Sequence, residues 1–171
     1  MKLSDAIWKY LKAQGVDTVY MLPGGGAMHL VDSLGQSGIN VVPMLHEQGA
    51  GYAAMGHAMM TGKTAVCLVT SGPGATNAVT PCANAWVDSV PVLFISGQAP
   101  STMLADGQRC RGPQEIDITS MVMDVTKYAH ESDDPKVIMY WLDVMFREVM
   151  IERPGPCWLS IPLDIQCMEV E

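Results

Sequence analysis

His46-Glu47-Gln48-Gly49-Ala50 puts a lone carboxylate between an apolar run, residues 40–45, and an Ala/Gly-rich run, residues 50–60. The first run reads as a short buried strand and the second as a helix. In an open α/β sheet such a strand-to-helix corner lies at the carboxyl edge of the strands, where ligands bind. A carboxylate there has two uses. It can complement the helix dipole from the first turn, or it can exchange a proton with something bound at the sheet edge. Two glycine-rich corners accompany it, Pro23-Gly24-Gly25-Gly26 and Ser71-Gly72-Pro73-Gly74. Both follow apolar runs and precede helical ones, so they permit close backbone approach and offer helix N–H groups. Neither matches GxGxxG or the GxxxxGK(S/T) phosphate loop, which argues against a dinucleotide or ATP site. The second corner is the more specific, because residues 71–77 combine hydroxyls, an amide and glycines.

Strand and helix alternate along the rest of the chain. Ser4 is expected to cap a helix through Ile7, Tyr10 and Leu11 that Gly15 closes. A strand over 18–22 leads to the first glycine corner and a helix carrying Met28, Val31 and Leu34. Ala65-Val66-Cys67-Leu68-Val69-Thr70 is an unbroken apolar strand, as expected when both sheet faces are covered. The second glycine corner opens a helix to about Val87, followed by a strand over 91–95. Residues 97–120 read as loop, and 125–129 as a strand. Asp134-Pro135 supplies a cap and first helical residue for a helix through Trp141, Val144 and Val149. Arg153-Pro154-Gly155-Pro156 stops that helix, and 157–161 is the last strand. Alternation of this kind predicts an α/β domain with a mostly parallel sheet and helices on both faces.

Composition narrows the partners. The 171 residues carry a formal net charge of −8, and no basic stripe exists to neutralise phosphates, which argues against nucleic acid. No apolar run reaches membrane-spanning length, so no membrane is expected. The cysteines, 67, 82, 110, 157 and 167, are scattered without CxxC spacing, which argues against a zinc site and points to a reducing cytoplasm. Most of the 14 methionines are expected in the core as gap-fillers.

Several segments then carry a resemblance. Leu22-Pro23-Gly24-Gly25, the Glu47 motif, Thr70-Ser71-Gly72-Pro73-Gly74-Ala75-Thr76-Asn77 and Asp88-Ser89-Val90-Pro91-Val92 occur in that order. They are followed by Ser96-Gly97-Gln98, Pro113-Gln114-Glu115-Ile116-Asp117, Arg153-Pro154-Gly155-Pro156 and Ile161-Pro162-Leu163-Asp164-Ile165-Gln166. From about Leu3 to Gln166 the chain resembles the N-terminal, pyrimidine-binding domain of thiamine-diphosphate-dependent enzymes of the acetolactate synthase family.

The resemblance implies a single three-layer domain over residues 1–171, with the thiamine-diphosphate-binding fold. It implies that Glu47 hydrogen-bonds the ring nitrogen of the cofactor's aminopyrimidine, favouring the tautomer that takes the proton from the thiazolium carbon. It places Pro23, Gly24 and Gly25 beside the cofactor's reacting end, Gly72, Thr76 and Asn77 beside the pyrimidine, and Gln114 facing substrate. No metal ligand is expected from this chain. Mg²⁺ and the diphosphate are held in this family by a second domain bearing Gly-Asp-Gly and paired asparagines. Ala105-Asp106-Gly107 has no such asparagines after it, so a separate diphosphate-binding domain or subunit is expected, together with a homodimer. The implied activity is carboligation of a small 2-oxo acid. Alternatives are the α subunit of a two-chain decarboxylase of the sulfopyruvate or phosphonopyruvate type, or a non-catalytic assembly module.

Some residues depart from that pattern or stay open. Pro113 stands where the synthases carry phenylalanine, which argues against pyruvate, and His29 stands where they carry proline. Arg109 and Arg111 invite an anionic substrate. His46 could reach the site or pack as a structural histidine. His57, Asp32 and Glu115 read as structural or surface groups.

Overall fold

Residues 1–104, 107–110 and 112–170 are described by a computed structural model. The chain runs α1 (Leu3–Ala13), β1 (Thr18–Met21), α2 (Met28–Gln36), β2 (Asn40–Pro43), α3 (Glu47–Thr61), β3 (Ala65–Val69), α4 (Pro73–Val87) and β4 (Val92–Gln98). It continues through α5 (Ile118–Val122), β5 (Ala129–Glu131), α6 (Pro135–Glu148), β6 (Cys157–Pro162) and α7 (Leu163–Gln166). The strands form one sheet in the order β2-β1-β3-β4-β6-β5, and every neighbouring pair is parallel. This is the expected three-layer α/β architecture.

Strand periodicity divides the core in two. Val66, Leu68, Leu93, Ile95, Leu159 and Ile161 pack with large side chains of α1, α2 and α6, Trp8 and Leu142 among them. Ala65, Cys67, Val69 and Phe94 pack on the other face against Ala50, Ala54, Ala78, Cys82 and Ala85 of α3 and α4. Small residues let these two helices approach closely. A Cβ on Gly51 would lie 2.7 Å from Cβ of Pro81 across the helix pair. Phe94 and Trp158 fill the thicker end of this layer, stacked with ring centroids 5.1 Å apart.

Several expectations need correction. Residues 40–43 form the edge strand, with Asn40 and Pro43 exposed, rather than a buried one. Pro43 fits an edge because it has no N–H to give a further neighbour. Ser4 does not cap α1. Lys2 precedes the helix, and Leu3 N donates to Met168 O at 2.8 Å, so the C-terminal segment satisfies the first turn. Ser4 is buried instead and accepts from Ser33 Oγ. The fourth strand runs on to Gln98, and the stretch read as loop contains α5, whose N-cap Asp117 accepts from Ser120 N at 3.0 Å. The strand expected over 125–129 lies later, at Ala129–Glu131. Methionine is mostly outside: nine of the 14 are exposed, and only Met21, Met55 and Met145 are buried. The Asp134 cap on α6 forms as expected.

Candidate functional site

The carboxyl edge of β2, β1 and β3 gathers the residues that sequence spacing singled out. Met44 N still donates to Met21 O at 2.8 Å, then the chain leaves the sheet. Leu45 projects fully exposed. His46 caps α3, its Nδ1 accepting from Gln48 N at 3.1 Å, which assigns it a structural role. Glu47 is the first residue of the helix and only 8% exposed. Its Oε2 accepts from Asn77 Nδ2 at 2.9 Å. Beneath it lies Cys67, whose thiol is pushed up by burial and then by the Glu47 charge, so it stays a neutral packing group.

Both glycine corners close on one side chain. Gly26 N donates to Thr70 Oγ1 at 3.1 Å, and a Cβ on Gly24 would stand 2.5 Å from Thr70 Cβ. A Cβ on Gly74 would stand 2.6 Å from Thr70 Cγ2 and 3.2 Å from Glu47 Oε1. Thr70 therefore joins the Pro23–Gly26 corner to the start of α4, a role that sequence spacing did not reveal. Its one sequence signal is a hydroxyl directly after an apolar strand. Behind the first corner, Gln166 Nε2 donates to Gly26 O at 2.7 Å.

The other candidates divide. Gln114 is drawn in, since a Cβ on Gly72 would lie 2.8 Å from Gln114 Cβ. Pro23 and Gly25 sit exposed at the outer rim, in a shallow concavity with Met28 and Val31. The Thr76 hydroxyl turns back to Pro73 O at 3.1 Å, within its own helix, rather than toward Glu47. His57 is structural, bonded at Nδ1 to Tyr20 OH at 3.2 Å. Asp32 is an exposed carboxylate held by Lys2 and Gln36. Glu115 is not: it is partly buried and accepts from Gly112 N at 3.1 Å. Arg111 and the Ala105-Asp106 pair lie outside the described residues.

A second cleft of about 440 Å³ opens at the other half of the edge, lined by Gln98, Arg109, Glu115, Asp117, Thr119 and Glu131. Glu131 Oε2 accepts from Ser160 Oγ at 2.6 Å and Gln98 Nε2 at 3.1 Å. Burial raises the Glu131 pKa, and these two hydrogen bonds only partly oppose it. Burial pushes Asp117 the same way, but hydrogen bonds from Ser120 and Thr119 outweigh it and hold the carboxyl below its usual range. Among the described residues no group of three or more His, Cys, Asp or Glu is placed to hold a metal. None of the helices there is long and apolar enough to cross a membrane.

Chemically, the first site offers one carboxyl oxygen fixed by an amide and a second, Oε1, without a hydrogen-bond partner among the described residues. That oxygen borders Gly74, whose missing Cβ leaves space beside it. A carboxyl oxygen so placed can exchange a proton with a group bound beside it.

The chain also matches known proteins. Residues 1–121 match the family described as thiamine pyrophosphate enzyme, N-terminal TPP binding domain. The chain is 41% identical over 169 residues to the acetolactate synthase large subunit of Corynebacterium glutamicum, covering 98% of this chain and 26% of that one. It is 37% identical over 171 residues to a probable acetolactate synthase large subunit of Methanocaldococcus jannaschii, covering 100% and 28%. Against acetolactate synthase isozyme 2 large subunit of Escherichia coli it is 40% identical over 156 residues, covering 91% and 28%. The chain thus spans about a quarter of the length of these relatives. Fold, ordered motifs and these matches together establish that the chain belongs to the thiamine pyrophosphate enzymes, as their N-terminal cofactor-binding domain.

Proposed function

We propose that this domain presents Glu47 to the aminopyrimidine of thiamine diphosphate in an acetolactate synthase-like carboligase acting on 2-oxo acids. The observation that carries this reading is the state of the Glu47 carboxyl: nearly buried, fixed at Oε2 by Asn77, and facing the bare Cα of Gly74 at Oε1. When bound, the cofactor supplies the electron sink for cleaving and joining bonds next to a carbonyl. The chain's own residues supply placement and a proton. Glu47 holds or releases a proton at Oε1, a task suited to a carboxyl sheltered from water but reachable by a ring nitrogen. Gly24, Gly72 and Gly74 keep the corner open, and Gln114 lies at its substrate side. Arg109, in the adjoining cleft, offers a cation for the carboxylate of a 2-oxo acid.

Mg²⁺ and the diphosphate belong, in this reading, to a separate domain or subunit. Leu45 just before α3, Tyr52 along it and Met59 and Met60 in its last turn are exposed apolar side chains, which supports a homodimer through this helix. The five free cysteines suit a reducing cytoplasm. The test is turnover of a 2-oxo acid by the assembled enzyme. Glu47→Gln should lower kcat by about 10²-fold or more, the lower range for a positioned acid–base group, with cofactor affinity nearly unchanged. Wild-type turnover by that variant would refute the proposal.

A further inference from the structure

We infer that Asn77 is a positioning residue for Glu47, and that Gly74 and Asn77 of α4 together seat its carboxylate. The inference rests on the reading of Glu47 given above.

Asn77 and Gly74 stand three residues apart in the first turns of α4, so they share one face of the helix. They treat the two carboxyl oxygens differently. Asn77 donates its amide to Oε2 at 2.9 Å, while Gly74 leaves bare space where a Cβ would press on Oε1 at 3.2 Å. One oxygen is tied down and the other is kept free. Helix α4 can do this because Gly51 and Pro81 let it approach α3 closely, and because Thr70 packs where the Gly74 side chain would be. Glu47 alone could rotate about its side-chain torsions. An amide donor on the facing helix removes that freedom, and it directs the shared proton to Oε1. Neither Thr76, whose hydroxyl is spent on Pro73 O, nor His46, whose ring caps α3, provides an alternative restraint.

The test has two readouts. In the chain alone, the side-chain amide resonances of Asn77 should shift in Glu47→Gln, since their acceptor loses its charge. Unmoved resonances would overturn the contact. In the assembled, cofactor-loaded enzyme, hydrogen–deuterium exchange at the thiazolium carbon is measured for wild type, Asn77→Ala, Glu47→Gln and the double variant. Asn77→Ala should slow exchange by at least about tenfold, the scale of one hydrogen bond to a charged group. In the Glu47→Gln background the same change should have an effect within about twofold, because a residue acting through another is silent once that partner is disabled. Asn77→Asp, of equal size, should also slow exchange, which guards against loss of folding in the alanine variant. Additive effects, or lost cofactor affinity with unchanged exchange at saturation, would overturn the positioning role. Unchanged exchange in Glu47→Gln itself would instead sink the proposed function.

Discussion

Gln114 sets its Cβ and carbonyl oxygen where a Cβ of Gly72 would stand, and both residues hold positive φ, +58° and +57°. Glycine adopts that region freely, whereas glutamine there costs on the order of 1–3 kcal/mol. The contact ties the segment around 112–117 to the start of α4 and sets Gln114 against the Ser71–Gly74 corner. Strain kept beside this glycine corner suits a positioning function.

Gly72→Ala should therefore destabilise the domain by at least about 2 kcal/mol, combining positive-φ strain with a clash on Gln114. Gln114→Gly should hold or raise stability while lowering turnover. Chemical denaturation checks the first effect and steady-state kinetics the second. A neutral Gly72→Ala would contradict the close contact.

The α3–α4 approach makes a paired prediction. Gly51→Ala gains up to about 1 kcal/mol of helix propensity but drives a methyl into the rigid Pro81 ring, so overpacking of about 1–3 kcal/mol should win. Gly56 on the same helix is exposed with nothing near its missing Cβ, and Gly56→Ala should stabilise by about 0.5–1 kcal/mol. Thermal melts of both variants test the pair, and a stabilising Gly51→Ala would refute it.

Glu131 gives a pH signature. Its carboxyl is raised from the ordinary 4.5 by burial, against hydrogen bonds from Ser160 and Gln98. Below 4.5 it is protonated in folded and unfolded chain alike and costs nothing. As pH rises the unfolded chain ionises first, so stability from this group is lost as pH climbs through the folded value. Glu131→Gln should melt above wild type at pH 7 and lose that advantage near pH 4. An advantage that grew on acidification would reverse the sign.

Self-association is expected along α3, with Leu45 exposed before its start and Met59 and Met60 exposed in its last turn. Leu45→Glu with Met60→Glu should shift the solution mass toward monomer at tens of micromolar, on the order of what a standard-sized interface sustains. An unchanged mass would place any interface elsewhere.

Much of this was legible in the chain because local and global signals agree. The 65–70 run, buried on both sides, reads as a central strand, and Asp134-Pro135 opens α6 as its chemistry requires. The edge position of 40–43 was not legible, since an apolar run looks alike at an edge or a centre and only Pro43 hinted at it. Ser4 misled because Leu3 finds its partner at Met168, far along the chain. The exposed methionines misled because composition does not show which faces a domain leaves for contact. Glu47 and both glycine corners were visible from spacing. Their junction at Thr70, the Asn77 amide on Glu47 and the Glu131 carboxyl arise from pairings between distant segments.

The most direct test of the account is hydrogen–deuterium exchange at the thiazolium carbon in the cofactor-loaded assembled enzyme, wild type against Glu47→Gln. The substitution keeps size and hydrogen-bonding capacity but removes the proton that Oε1 can share. If the carboxyl drives that step, exchange slows by at least about 10²-fold, while stability moves by no more than about 0.3–1 kcal/mol, the scale of a helix-start carboxylate. Equal exchange rates with a small loss of stability would reduce Glu47 to a helix-capping charge and contradict the account.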